Sequence, residues 1–354
     1  MNERIHIAIL GGTGYGAGEL LRLLSQHPRA VVASVTTTSQ AGEPVTSAHP
    51  HLRGFFEIKM TANIDWPRLL DAERAIIFSA LPHAASGVGL QRVLSEMPTS
   101  AKPSTLHMID LSGDLRLQSH ASHARHYPDS PLLPDFRTQF VYGLPEVNRS
   151  AILAARHIAN PGCLASASIL AAAPLVSDGF AGVVAVDAKT GSSGSGKQLK
   201  ETTHHPTRHA DFRAYKPLSH QHEGEILQAW GDADGGCVTL SFVAQSMDVS
   251  RGIFVSVHLT LPQETDTATV RQKYADFYKD SPFVRIVKDS PTLQDVVGSN
   301  FCDIAVVARG RQVIAMATID NLVKGMAGTA IQNMNLMCNL PEQTGLWTPS
   351  LRPV

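Results

Sequence analysis

Apolar residues fall into two textures along the chain. In the first, short runs that are apolar throughout alternate with stretches of helical spacing. Ile5 to Leu10 reads as a buried strand, and Glu19 to Gln26 has helical spacing. Further strands are expected over Val31 to Thr36, Ala75 to Ser79 and Thr105 to Leu111. Uniformly apolar strands separated by helices predict βαβ units and a parallel sheet covered on both faces. The texture changes near Asn160. An Ala-rich helical run from Leu164 to Val176 leads into Gly182 to Ala188, Cys237 to Val243 and Ile253 to Leu261. These segments alternate or are β-branched and are broken by Gly and Pro, as in a mixed or antiparallel sheet. Gly191 to Lys197 reads as a flexible loop. Val313 to Thr318 is expected as a strand and Asp320 to Met337 as a long helix. Small residues within that helix (Gly325, Ala327, Gly328, Ala330) permit close packing, and it is expected to return to the first domain. The pattern gives an α/β protein, with residues 1–160 and 320–354 in one domain and 161–319 in the other.

Composition narrows the function. The 354 residues are 43% hydrophobic, with 30 basic and 31 acidic residues. A net charge of −1 lacks the basic footprint of a nucleic-acid binder. No apolar run reaches the ~18 residues of a membrane span, and no secretory signal pattern opens the chain. A cytoplasmic, reducing setting is expected, with Cys163, Cys237, Cys302 and Cys338 as free thiols.

Three features carry candidate chemistry. The turn from Gly11 through Gly12, Thr13, Gly14, Tyr15 and Gly16 to Gly18 lies between a strand and a helix, the setting of a dinucleotide fingerprint. Its glycines let backbone amides approach a pyrophosphate at the helix N-terminus. After the second strand, Thr36-Thr37-Thr38-Ser39-Gln40 offers hydroxyls where an NAD enzyme usually has a carboxylate, which favours NADP. No arginine stands there to clamp a 2′-phosphate. Second, Cys163 follows Asn160-Pro161-Gly162 and opens a helix, where the dipole and unpaired amides stabilise thiolate. By position alone, a nucleophile and a small buried hydrophobe are equally open readings. Third, histidines and cations cluster from His204 to His222, with Arg208, Arg213 and Lys216. An acid/base histidine beside anion-binding groups is the preferred reading. A zinc site lacks a third ligand of convincing spacing, and no metal is expected. Arg116 adds a cation at a strand end.

These residues lie in segments that resemble the N-acetyl-γ-glutamyl-phosphate reductases of arginine biosynthesis. The matching segments are GGTGYGAGELLRLLSQHP at Gly11, LSGDLR at Leu111, VYGLPE at Val141, ANPGC at Ala159, DAKTGSSGSG at Asp187, FRAYKPLSHQHEGEI at Phe212, GSNFCDIAV at Gly298 and IDNLVKGMAGTAIQNMNLM at Ile319. They span nearly the whole chain. The resemblance implies a Rossmann-type NADP-binding domain plus an α+β catalytic and dimerisation domain of the aspartate-semialdehyde/glyceraldehyde-phosphate dehydrogenase type. It implies Cys163 as the nucleophile, His220 as the acid/base with His222 as the close alternative, and Glu225 as the orienting carboxylate. Arg116, Asn160, His204 and Arg213 are expected at the substrate. Pro82, Ser192, Gly194 and Asn321 are expected to join Gly11, Thr13, Gly14, Tyr15, Gly16, Thr38 and Ser39 around the cofactor.

The family's usual aromatic, Pro and Thr after the cysteine are replaced by Leu164-Ala165-Ser166. Thr203-His204-His205-Pro206 and Tyr215-Lys216-Pro217 resemble the sister enzymes of lysine biosynthesis. Those reduce an aminoadipyl phosphate attached to a small acidic amino-group carrier protein. The expected reaction is therefore NADPH-dependent reduction of a small-molecule acyl phosphate through a Cys163 thioester, by a homodimer or homotetramer. The carrier-linked aminoadipyl or glutamyl substrate is the enzymatic alternative, and an NADP-binding sensor is the non-enzymatic one.

Overall fold

The computed structural model describes residues 4–99, 106–176, 179–233 and 236–353. The first sheet contains β1 (Ile5–Leu10), β2 (Ala30–Thr36), β3 (Arg74–Ser79), β4 (Leu106–Asp110), β5 (Phe140–Tyr142) and β6 (His157–Ala159). Its order is β2-β1-β3-β4-β6-β5, and every pairing is parallel. All six residues of β1 are buried, which is why the strand shows no alternation. From β1 the chain goes outward to β2 and then crosses to β3 on the other side. The reversal opens a crevice at the carboxyl ends of β1 and β3, the usual ligand site of open α/β sheets. Thr105, the expected first residue of β4, lies outside the described residues. The three-residue strands β5 and β6 are additions to the sequence expectation.

The second sheet holds β7 (Gly182–Thr190), β8 (Arg213–Tyr215), β9 (Val238–Ser246), β10 (Ile253–Asp266), β11 (Val284–Ile286) and β12 (Cys302–Ile319), in the order β11-β12-β10-β7-β9-β8. Parallel and antiparallel pairs mix. Alternation is clear on β7, where Val184, Val186 and Ala188 are buried and Val183 is 60% exposed. The buried face packs on the helix Cys163–Val176, of which every residue after Cys163 is buried. A helix apolar all round is a core helix.

The chain then returns to the first sheet, as expected. The predicted single helix from Asp320 is a π-helical turn, Val323–Ala327, followed by the α-helix Gly328–Met337. Ala330, Ile331 and Met334 share a core with Ile5, Ile7 and Ile9. Asp320 stays outside the helix because its carboxylate caps it, accepting from the Leu322, Val323 and Gly298 amides. No helix among the described residues is long and apolar enough to cross a membrane.

Candidate active site

One cleft of about 1170 Å³ runs from the carboxyl ends of β1 and β3 to the N-terminus of the cysteine helix. At one end it is lined by Gly11, Thr13, Gly14, Tyr15 and Gly16. Gly11 has φ +80°, and a Cβ there would come within 2.9 Å of the Ala80 carbonyl oxygen, so the turn requires glycine. Gly14 caps the helix Tyr15–Leu24 with no side-chain hydrogen bond, and nothing lies within 4 Å of where its Cβ would be. The helix's first amides therefore face an open cradle that fits a pyrophosphate. Thr36, Thr37, Thr38, Ser39 and Gln40 continue the wall, without a carboxylate, and Pro82 stands at the end of β3. Arg92, from the helix Ser86–Ser95, also lines the cleft. It lies more than fifty residues beyond Ser39, so nothing in the sequence around the end of β2 marks it.

At the other end the cleft is lined by Cys163, His220 and His222, with Gly194, Asn321, Arg116 and Arg213. Gly325, in the π-turn, packs directly on Cys163: a Cβ there would lie 2.7 Å from the cysteine Cβ. The His222 ring rests on Gly162, where a Cβ would meet Nε2 at 2.3 Å. The His220 and His222 rings are 4.6 Å apart, and Tyr215 lies edge-on to His220 at 5.7 Å. The His222 amide donates to His220 Nδ1 at 3.1 Å. Neutral His220 therefore carries its proton on Nε2.

Beneath these groups lies a saturated carboxylate. Glu225 has no exposed surface and lies on the helix His222–Ala229. It accepts from Arg116 Nη1 at 3.0 Å, Tyr127 Oη at 2.6 Å, Tyr142 Oη at 2.9 Å and the Gly162 amide at 2.8 Å. His222 Nε2 stands 3.8 Å from it. Glu225 thus ties the peptide preceding Cys163 to the histidine helix. Sequence spacing could not reveal Tyr127 and Tyr142, which lie 98 and 83 residues from it.

Several expectations change. The motif around Arg116 predicts a substrate- or phosphate-binding cation. Instead its guanidinium donates to the carbonyls of Asn160 (2.7 Å) and Leu111 (2.8 Å), to Tyr127 and to Glu225. Its charge is spent on organising the site. Asn160 is fully buried behind the wall, bonded to Met326, Asn333 and Asp110. Ser192 gives way to Ser193, whose hydroxyl accepts from Asn321 Nδ2 at 2.9 Å and which lines the cleft. His204 is exposed and off the cleft wall, preceding the short helix His205–Arg208. The helix dipole does not yield a thiolate here: burial pushes the Cys163 thiol up to about 11, against the downward pull of Arg116 and the Leu164 amide. Burial likewise drives His220 down to about 2, with His222 and Lys216 adding to it, so both histidines are neutral. Among the described residues, no group of three or more His, Cys, Asp or Glu is placed to hold a metal.

Comparison with known proteins agrees with this architecture. Residues 6–155 match the semialdehyde dehydrogenase NAD binding domain, and residues 163–321 match the semialdehyde dehydrogenase dimerisation domain. A crystal structure of aspartate semialdehyde dehydrogenase II from Vibrio cholerae, complexed with ASA, superposes with a TM-score of 0.68. It covers 95% of this chain and 99% of that one at 15% identity. The Candida albicans aspartate semialdehyde dehydrogenase with NADP gives a TM-score of 0.63, covering 94% and 98% at 12% identity. Identities this low speak to the fold alone. The N-acetyl-gamma-glutamyl-phosphate reductase of Methanosarcina mazei is 39% identical over 100% of both chains. That of Methanocella arvoryzae is 40% identical over 99% of this chain and 100% of its own. The chain therefore belongs to the N-acetyl-gamma-glutamyl-phosphate reductase family, built from semialdehyde dehydrogenase NAD-binding and dimerisation domains.

Proposed function

We propose that this protein reduces N-acetyl-γ-glutamyl phosphate to N-acetylglutamate 5-semialdehyde and phosphate with NADPH, in arginine biosynthesis, through a thioester on Cys163. The observation that carries the reading is a partly exposed cysteine at a helix start, sharing one cleft with a glycine cradle and two neutral histidines. The full-length relatives support the substrate, and none of those named above favours the carrier-linked alternative. Residues 1–160 and 320–354 would form the nucleotide domain and 161–319 the catalytic and oligomerisation domain. The half-exposed face of the second sheet, around Val183, is the natural contact between copies.

Cys163 Sγ attacks the acyl carbonyl and the carbon–oxygen bond to phosphate breaks. The thiol proton leaves with phosphate, so a thiol of raised proton affinity needs no permanent thiolate. Gly11, Thr13, Gly14, Tyr15, Gly16, Thr38 and Ser39 would hold NADPH, which supplies the hydride when bound. His220 Nε2–H would hydrogen-bond the thioester oxygen as charge develops there, and when the tetrahedral oxyanion collapses to the aldehyde the carbon–sulfur bond breaks and the departing Cys163 sulfur takes up one proton from water, restoring the thiol. Backbone amides at the start of the cysteine helix assist the same oxygen. Glu225 holds the Gly162 peptide and the histidine helix in register. Hydroxyls without a carboxylate at the end of β2 favour NADPH over NADH.

Cys163→Ser tests the chemistry. Reduction is expected to vanish while NADPH binding, read by fluorescence titration, stays within about two-fold, because the glycine cradle is untouched. Near-normal turnover in that variant would end the thioester mechanism.

A further inference from the structure

The site must accept a phosphate beside Cys163, yet the arginine expected to do so has four of its five N–H donors and its charge engaged by internal partners. The other cations on the cleft wall are mostly engaged as well. Arg208 donates to Ser246 and to the carbonyls of Met247 and Val249. Arg213 is bonded to the Thr202 carbonyl and paired with Asp211. Lys197 reaches the carbonyls of Thr13 and Ala48. Arg92 pairs with Glu96 at 3.5 Å.

Lys216 differs. It is exposed on the cleft wall, and its ammonium makes one contact, with the neutral Gln221 Oε1 at 3.1 Å. No carboxylate pairs with it among the described residues. It sits in a turn with two left-handed non-glycine residues, Lys216 at φ +48° and Leu218 at φ +54°. Such conformations are strained for residues with a side chain and concentrate where function demands them. The turn joins Tyr215, whose ring meets His220, to His220 itself, so Lys216 is held beside the reacting groups. Enclosure is the main influence lowering the proton affinity of His83, His220 and His222, and the Lys216 charge adds to it at all three.

His83 lines the same cleft. The Gly113 amide donates to its Nδ1 at 2.7 Å, so the neutral ring keeps Nε2 as its only N–H, with no hydrogen-bond partner among the described residues. The next residue, Ala84, is also left-handed at φ +66°, and its amide is pinned to Asp114 Oδ1 at 2.8 Å. The Lys216 ammonium, unpaired with any carboxylate, and one neutral donor of fixed tautomer thus stand in the cleft that holds Cys163; Lys200 on the same wall also has no paired carboxylate among the described residues, but it is not joined to His220 by the short turn that holds Lys216.

We infer that Lys216, assisted by His83 Nε2–H, forms the anion subsite that holds the phosphoryl group leaving Cys163, and the attacking phosphate in the reverse direction. The inference rests on the acyl-phosphate reading above. A point-charge ammonium beside a neutral donor suits a phosphate dianion, and placing the ion on the reacting carbon is the service it renders. In the reverse reaction, aldehyde, NADP and phosphate give acyl phosphate, NADPH and a proton.

The test compares Lys216→Met, Lys216→Arg and, as a control on the same wall, Lys200→Met. With N-acetylglutamate semialdehyde, NADP and inorganic phosphate, Lys216→Met is expected to raise the KM for phosphate at least ten-fold. The KM values for NADP and semialdehyde should stay within two-fold, and Lys216→Arg should recover part of the loss. A second arm needs no acyl substrate. Inorganic phosphate should slow iodoacetamide alkylation of Cys163 at pH 9 relative to chloride of equal ionic strength, in the wild type but not in Lys216→Met. An unchanged phosphate KM, an equal change in all constants, or a larger phosphate effect from Lys200→Met would overturn the inference. If the wild type does not turn over this semialdehyde, the substrate reading has failed and the alkylation arm alone decides the subsite: equal protection of wild type and Lys216→Met refutes it.

Discussion

Glu225→Gln is the most searching single perturbation of this site, because it removes one charge and changes almost no volume. The carboxylate receives four hydrogen bonds with no solvent contact. A glutamine can still accept from Arg116 and Tyr127 through one oxygen. Its amide nitrogen then faces the Gly162 N–H, two donors opposed, and the buried Arg116 loses its counter-charge. Leaving one member of a buried pair uncompensated costs about 3–5 kcal/mol, and an orphaned buried donor about 1–3 kcal/mol. At roughly 2–4 °C per kcal/mol, the melting midpoint should fall by on the order of 10 °C. The Gly162 peptide precedes the nucleophile, so kcat should fall on the order of a hundred-fold as the cysteine loses its anchor. NADPH binding should hardly change. Differential scanning calorimetry and single-turnover reduction read the two effects. The double variant Arg116→Met, Glu225→Gln should lose less stability than the two single losses added, since the charges are coupled. A melting midpoint within about 2 °C of wild type for Glu225→Gln, less than about 1 kcal/mol on the same scale, would refute the description of this pair as the buried frame of the site.

Three further outcomes follow from other parts of the structure. Gly325→Ala would press a methyl group 2.7 Å from the Cys163 Cβ; kcat should drop at least ten-fold with the KM for NADPH little changed, and normal turnover would show the contact to be unimportant. Ser39→Asp places a carboxylate at the end of β2, where Ser39 lines the cleft; the KM for NADPH should rise at least ten-fold while that for NADH stays flat, and parallel changes would disprove the 2′-phosphate reading. Acid should destabilise the protein. Burial lowers His157 to about 3 and also lowers His27, His107 and His123 below the ordinary histidine value of 6.5. With these folded values below the unfolded one, the unfolded chain binds more protons, so their contribution is present above pH 6.5 and is lost as pH falls through that value toward 3. Each such group can contribute up to about 1.4 kcal/mol per pH unit. Melting midpoints that stay flat from pH 7.5 to 5 would contradict this.

What the sequence determined by itself is whatever depends on neighbours along the chain. Ile5 to Leu10 before the glycine turn marks a covered strand feeding a helix, and only glycine satisfies the φ of Gly11. Alternation from Gly182 and Ile253 marks the second sheet, and the all-apolar run after Cys163 marks a core helix. The short strands β5 and β6 were invisible because three residues carry too little periodicity to stand out. The tertiary structure alone decided the meaning of charge. Arg116 reads as an anion binder on its motif, and only the arrival of Glu225, Tyr127 and the carbonyls of Asn160 and Leu111 shows that four of its five N–H donors are already engaged. The same holds for Cys163, where helix position favours thiolate but burial by groups far apart in the chain prevails. Periodicity and backbone conformation are local and legible in one dimension; hydrogen-bond satisfaction and desolvation depend on which distant groups meet, and only the folded chain brings them together.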